Sequence, residues 1–223
     1  IDGARVAALL DGAEVIDSPG RAFPVDTIYA EPDPLERLED QVTKAVLKAM
    51  REHEGSALVF LPGQGEIIRV AERLATSLPP ITDLAPLYVQ LTPAEQDAAI
   101  QPSPAGRRKI VLATSIAETS LTIEGIRIVI DSGFRRVPVY EPATGLTTLA
   151  TTRVSRAGAD QRRGRAGRTS SGVCIRLWNE DQTAALATFE TPEILAADLS
   201  GLMLDLAAWG VSDPKSLSFL DAP

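Results

Sequence analysis

The octapeptide Gln161-Arg162-Arg163-Gly164-Arg165-Ala166-Gly167-Arg168 carries four guanidiniums and one amide among eight side chains. The guanidinium is planar, permanently charged and shaped to meet phosphate oxygens with two parallel hydrogen bonds. Arg165 and Arg168 stand three residues apart, so on a helix they share a face and can converge on one anion. Gly164 and Gly167 let the backbone close around it. Between Arg153 and Arg168 there are six arginines and one carboxylate, Asp160, although the chain as a whole has a net charge of −8. A basic strip on an acidic body suits a phosphate held at one place. It suits a protein that clings to nucleic acid everywhere poorly. Taken alone, such an octamer is also compatible with a solvated basic turn.

The elements that must position this octamer alternate in type. Val25–Tyr29 and residues 57–61, 84–89, 109–113, 126–131 and 172–177 read as short apolar strands. Residues 34–52 carry Leu35, Leu38, Val42, Ala45, Val46 and Ala49 at helical spacing, and 66–77 form a second helix. Thr92 followed by Pro93 is a helix start, and Ser155 caps the helix that leads into the arginines. Strands alternating with helices imply an α/β fold, a mostly parallel sheet covered on both faces. Residues 134–140 and 146–152 flank a Pro- and Gly-containing turn and read as an inserted β-hairpin. Residues 4–10 read as a short helix and 14–17 as a strand before the turn at Ser18-Pro19-Gly20. From Asn179 onward the pattern is helical, and Leu199, Leu202, Met203, Leu206 and Trp209 form a stripe expected to be core.

Three segments carry a family resemblance. The octapeptide resembles motif VI of the superfamily 2 helicases, QRxGRxGR. The run from Lys109 to Gly125, KIVLATSIAETSLTIEG, resembles motif V of the DEAH-box branch, with Ser115 where that branch usually has Asn. Leu58 to Ile67, LVFLPGQGEI, resembles motif IV of the same branch. The form of motif IV and the tail from Pro192 to Val211 look most like the bacterial HrpB type. The resemblance implies a RecA-like (P-loop NTPase-type) domain over residues 1–180, the second of two motor domains, and the helical start of a winged-helix domain over 181–223. By the same resemblance the stretch before Asp2 would hold the Ser-Ala-Thr motif of a first domain, so the chain is expected to be the second motor domain without its partner.

That family hydrolyses ATP with Mg²⁺ in the cleft between its two RecA-like domains and acts on single-stranded or duplex nucleic acid. By the motif match Arg168 is the arginine finger, Arg165 its neighbour on the same phosphate, and Gln161 is placed to orient the attacking water or to hydrogen-bond the phosphate. Thr122 and Glu124 match positions facing the nucleotide. Ile100 matches a position that packs on the adenine, and an aliphatic side chain there implies weak base selectivity. Gly63, Thr114 and Ser115 match the nucleic-acid backbone grip, and Ser120 the serine that senses both ligands. Gln64 and Gly65 are expected to cap the helix after motif IV, and Arg162 and Arg163 to be solvated or interface arginines. The inserted hairpin matches one that works as a wedge beside the nucleic-acid channel. RNA is the favoured substrate; a DNA-directed motor and a non-catalytic binding module on the same fold remain open.

Composition sets the outer limits. With 223 residues and 44% hydrophobic content the chain can bury a full core. No apolar run is long enough to span a bilayer and no signal-peptide pattern opens the chain. A lone Cys174 excludes internal disulfides and suits a reducing, cytoplasmic compartment, as a packed thiol in an apolar strand. His53 is the single histidine, which removes His-based metal sites and Ser-His relays. Arg51-Glu52-His53-Glu54 reads as a polar helix end. The sequence holds no G-x-x-x-x-G-K-[ST] phosphate loop and no strand-ending Asp-Glu pair to hold Mg²⁺. The purified 223-residue chain is therefore expected to show no ATP turnover above that of its Arg168→Ala variant in a phosphate-release assay.

Overall fold

The computed structural model describes residues 3–17, 22–118 and 123–222. In chain order the regular elements are α1 (Gly3–Leu9), β1 (Val25–Tyr29), α2 (Leu38–Glu52), β2 (Ser56–Phe60), α3 (Gln64–Ala75), β3 (Thr82–Leu87), α4 (Pro93–Ile100), β4 (Arg108–Ala113), β5 (Ile126–Asp131), β6 (Phe134–Glu141), β7 (Leu146–Arg153), α5 (Arg156–Gly164), β8 (Gly172–Arg176), α6 (Gln182–Ala185) and α7 (Ser200–Ala208). They fall into two compact units. The larger comprises the described parts of 21–136 and 151–190; the smaller comprises those of 1–20, 137–150 and 191–223.

The larger unit is built on a six-stranded, wholly parallel sheet of order β1-β8-β5-β2-β4-β3. Successive side chains on a strand point to opposite faces, and both faces are used. Ala57, Val59, Ile110, Leu112, Ile128 and Ile130 face α2 and α3, where Val42, Val46, Ile67, Val70 and Leu74 close one core layer. Leu58, Phe60, Val111, Ala113, Val129 and Cys174 face the other way, onto Ala99 of α4 and Ala166 beyond α5. Ile126 and Val129 share a face although three apart, because the register between β2 and β5 shifts at Ser56/Ala57 and leaves Arg127 as the extra residue. The α/β reading, the parallel sheet and the helices on both faces are all borne out.

Several boundaries differ from expectation for local reasons. Helix α2 starts at Leu38 rather than 34, because the Asp33 carboxylate accepts from Leu35 N at 2.9 Å and forms a side-chain turn that competes with the helix. Strand β3 runs over Thr82–Leu87 rather than 84–89, held in register with all six residues of β4. Residues 14–17 are exposed and irregular instead of a strand. Thr92 caps α4 with a capping box, its hydroxyl accepting from Glu95 N while Glu95 accepts from Thr92 N. Glu52 ends α2 and His53 is its C-cap, as the polar helix end implied. The hairpin forms as β6 and β7, a two-stranded sheet of its own.

Cys174 is buried, and burial, then the charge of Asp131, pushes its thiol up to about 12. It is an inert packing residue.

The smaller unit contains α1 and α7, with an Arg5–Asp221 ion pair at 2.6 Å and Tyr140 N donating to Ala196 O. Here the expected core stripe is overturned. Leu206 is buried, but Met203 is 44% and Trp209 80% exposed, since nothing among the described residues covers that side of α7.

Gly172 opens β8 where three backbones converge. A Cβ there would lie 2.5 Å from Arg127 O and closer still to Ala166 O, and neither backbone carbonyl can step aside. Gly172→Ala is expected to lower stability by about 2–3 kcal/mol, the scale of overpacking in a tight core. A urea midpoint within error of wild type would overturn this account of the contact.

Candidate nucleotide and nucleic-acid site

Helix α5 carries the first half of the arginine octapeptide. Ser155 caps it, its hydroxyl accepting from Gly158 N at 3.0 Å, and Glu190 accepts from Ser155 N at 3.0 Å. The helix runs antiparallel to the strands. At its middle Asp160 pairs at 2.7 Å with Arg176, the last residue of β8. Beyond its end the Gly167 carbonyl accepts from Phe23 N at 2.9 Å, just before β1 begins. One helix thus links the C-terminal edge of the sheet to its N-terminal edge.

At the C-terminal edge lies Arg162, 0% exposed. Its Nη1 donates to Asp131 Oδ1 at 2.6 Å and to Phe134 O at 3.2 Å, and its Nε donates to Glu118 Oε1 at 2.8 Å. The guanidinium also lies 4.9 Å from the centre of the Phe60 ring. Burial alone would push its pKa down, but the charges of Asp131 and Glu118 outweigh burial and hold it above the ordinary value. Arg163 reaches the other way, to Thr27 Oγ1 and Val25 O, both at 3.0 Å. The expectation that Arg162 and Arg163 are solvated or interface arginines fails for Arg162, which is buried, while Arg163 is half-buried. Two arginines on a sheet-facing helix find carboxylates and carbonyls there, and each ties α5 to a different strand.

At the N-terminal edge α5 tightens into a one-turn helix, Arg165–Gly167, seated over the starts of β1 and β8. Arg165 is 5% exposed and Arg168 exposed. The Arg165 guanidinium is pushed down to about 10, by burial first and then by the charge of Arg168, against the pull of Glu118. Two cations held close enough to disfavour each other, one of them buried, describe a place suited to an anion. Gln161 is exposed on the preceding turn. Glu124 lies exposed in the turn entering β5, which places it at this same edge. So does Ile100, half-buried at the end of α4 against the core layer that holds Ala166.

Gly63, Thr114 and Ser115 fall at the opposite, C-terminal edge, past β2 and β4. Six residues of β4 separate the two edges by ~20 Å at the usual strand rise. Thr114 and Ser115 are half-buried, Thr114 leading into the one-turn helix Ser115–Ala117. Gly63 itself is the N-cap of α3, with Gln64 and Gly65 already inside the helix, which corrects the expected cap. Gly63 is buried, and Arg136 covers it: a Cβ would meet the Arg136 guanidinium at 2.8 Å. The absent side chain makes room for that guanidinium. Ser120 and Thr122 lie outside the described residues.

Sequence reasoning missed Glu118 and Asp131. A signal was present. Glu118 and Asp131 are carboxylates bordering the two apolar strands next to an octapeptide with surplus positive charge, and a buried arginine requires such partners.

A parallel sheet with paired arginines at one edge and hydroxyl-bearing loops at the other defines the RecA-like α/β class. The family model described as the helicase conserved C-terminal domain matches residues 37–170, and the chain belongs to that family. It is 48% identical over its whole length to the ATP-dependent RNA helicase HrpB of Escherichia coli (strain K12), and 39% identical to HrpA of the same organism. A crystal structure of the E. coli DEAH/RHA helicase HrpB superposes over the full chain with a TM-score of 0.94. The chain spans 28% of HrpB and 17% of HrpA. The resemblance to the HrpB type read from motif IV and the tail is borne out.

The buried charge cluster sets an expectation. Arg162→Ala strands the Asp131 carboxylate in the interior, and removing one partner of a buried pair costs about 3–5 kcal/mol. Urea unfolding of the chain should show a loss of that size; a loss below about 1 kcal/mol would mean the cluster is not what fixes α5.

Proposed function

We propose that this chain supplies the second motor domain of an ATP-dependent RNA helicase. The observation that carries the reading is Arg165 and Arg168 close together at one sheet edge, with the Arg165 charge disfavoured by burial and then by the charge of Arg168. ATP bound between this edge and a first RecA-like domain would present its γ-phosphate to both guanidiniums. Attack by water on the γ-phosphorus breaks the bond to the bridging oxygen, and negative charge spreads over the transferring oxygens and the leaving diphosphate. Arg168, the exposed member of the pair, stabilises that charge, Arg165 holds the same phosphoryl group, and Gln161 orients the water. Glu124 and Thr122 serve the ribose, and Ile100 the adenine.

Among the described residues no group of three or more His, Cys, Asp or Glu side chains could hold a metal ion. The residues present do not fit Mg²⁺, and its ligands belong to the first domain and the triphosphate in this reading. No helix of the described residues is long and apolar enough to cross a membrane.

The opposite edge grips the nucleic-acid backbone. Thr114 and Ser115 offer hydroxyls and backbone N–H groups to a phosphate, and Arg136 over Gly63 offers a cation. The names of HrpB and HrpA favour RNA over DNA as the strand. The hairpin β6–β7 exposes Leu146 and Leu149, apolar side chains suited to unstacking bases at a strand junction.

Arg168→Ala in the full-length protein is expected to lower RNA-stimulated turnover by at least ~10³ while nucleotide affinity changes by less than about tenfold. Steady-state ATPase assays with RNA and with DNA, alongside nucleotide titration, check this. Collapse of affinity with turnover at saturation intact would make Arg168 a ground-state binding residue, and stimulation by DNA alone would redirect the substrate assignment.

A further inference from the structure

Lys109 is the second residue of β4 and has no role in the reading above. It is 7% exposed, and a buried ammonium needs a partner for each of its three N–H donors. Its Nζ donates to Ala98 O at 3.1 Å and Ala99 O at 3.3 Å, the two carbonyls before Ile100, and to Gln101 O, the one after it. These are carbonyls that a helix leaves without partners in its last turn, where the dipole also favours a cation. Helix α4 has little else to hold that turn. Ala99 is the one buried residue among its eight, and the helix packs on β3, the last strand of the sheet. The chain beyond α4 returns through Arg107, whose Nε donates to Asp83 of β3 at 3.0 Å. Arg108 points to the other face and holds the end of α2 in the same way, donating to Met50 O at 2.6 Å, Gly55 O at 2.7 Å and His53 O at 2.8 Å. Of the two helix ends so held, that of α4 carries a residue assigned to the nucleotide.

We propose that Lys109 is a positioning residue for base binding: by bracketing Ile100 between hydrogen-bonded carbonyls it fixes the surface on which the adenine packs. The inference rests on the reading of Ile100 as the adenine contact. An aliphatic side chain offers dispersion contacts that fade within an ångström of separation, so its worth depends on where it stands. Helix ends fray, and without the ammonium the last turn of α4 is free to do so. Ile100 then withdraws from the base. The hold acts on main chain and not on the base itself, so it serves adenine and guanine alike. The phosphate end of the nucleotide, met by Arg165 and Arg168, does not depend on it.

The test uses the full-length protein and measures binding of ADP and, as the base-free probe, of magnesium pyrophosphate. Lys109→Met keeps the apolar stem and removes all three donors. Its ADP affinity is expected to fall about fivefold or more, while pyrophosphate affinity changes by less than about twofold. In steady state the KM for ATP should rise by a similar factor with kcat within about twofold of wild type. Where Ile100→Ala is already present, adding Lys109→Met should weaken ADP by less than about twofold, because the side chain it positions is gone. An unchanged ADP affinity in Lys109→Met would overturn the proposal. So would an equal loss for ADP and pyrophosphate, which marks general support of the fold, or an undiminished further loss in the double variant. An Ile100→Ala protein that binds ADP as wild type does would instead overturn the adenine assignment on which this inference stands.

Discussion

The buried Arg162 guanidinium between Asp131 and Glu118 is the interaction on which the geometry of this domain depends. It joins the ends of three strands adjacent in the sheet: Asp131 finishes β5, Glu118 closes the turn after β4, and Phe60, beneath the guanidinium, finishes β2. A charge so deeply withdrawn from water is tolerated only because two carboxylates and a carbonyl surround it. Breaking any one contact leaves another charge uncompensated, so the cluster is more strongly specified than an apolar contact of the same size.

Division of labour within the octapeptide follows from helical geometry. Arg162 and Arg163 occupy the face and flank of α5 that meet the sheet, and both are consumed by structure. Arg165 and Arg168 come after Gly164, where the helix narrows, and are aimed at the sheet edge. Gly167 permits that seating, since a Cβ would lie 2.6 Å from Phe23 O. A run that looks uniform in sequence is therefore two sets of residues with opposite duties.

Much of this was legible in the sequence. Strands of consecutive apolar residues gave the parallel sheet, and Thr92 and Ser155 marked two helix starts that the structure places where their hydroxyls implied. Thr114 and Ser115 were expected past the C-terminal end of the strand before them, and they lie there. The less legible part depended on tertiary partners. Periodicity could not see that Asp33 would capture the Leu35 amide and delay α2, because the same residues fit a helix. Nor could it see that Arg162 would be swallowed by carboxylates 31 and 44 residues away. The stripe on α7 misled because helical spacing reports a face, not whether anything covers it; Trp209 sits on such a face and remains exposed.

Helix α5 also has a mechanical consequence. Its nine residues span ~13 Å at the usual helical rise. A free rod of that length tilting by ~10° would swing its far end by ~2 Å, a displacement large enough to spoil alignment with a reacting phosphorus. Here the rod is clamped in its last turn by Arg162, and the chain just beyond its tip is riveted by the Gly167–Phe23 backbone bond. It has no hinge of its own. Any travel of Arg165 and Arg168 relative to a second body must be carried by the sheet moving as a whole, so this domain delivers its cations the way a rigid jaw delivers a tooth.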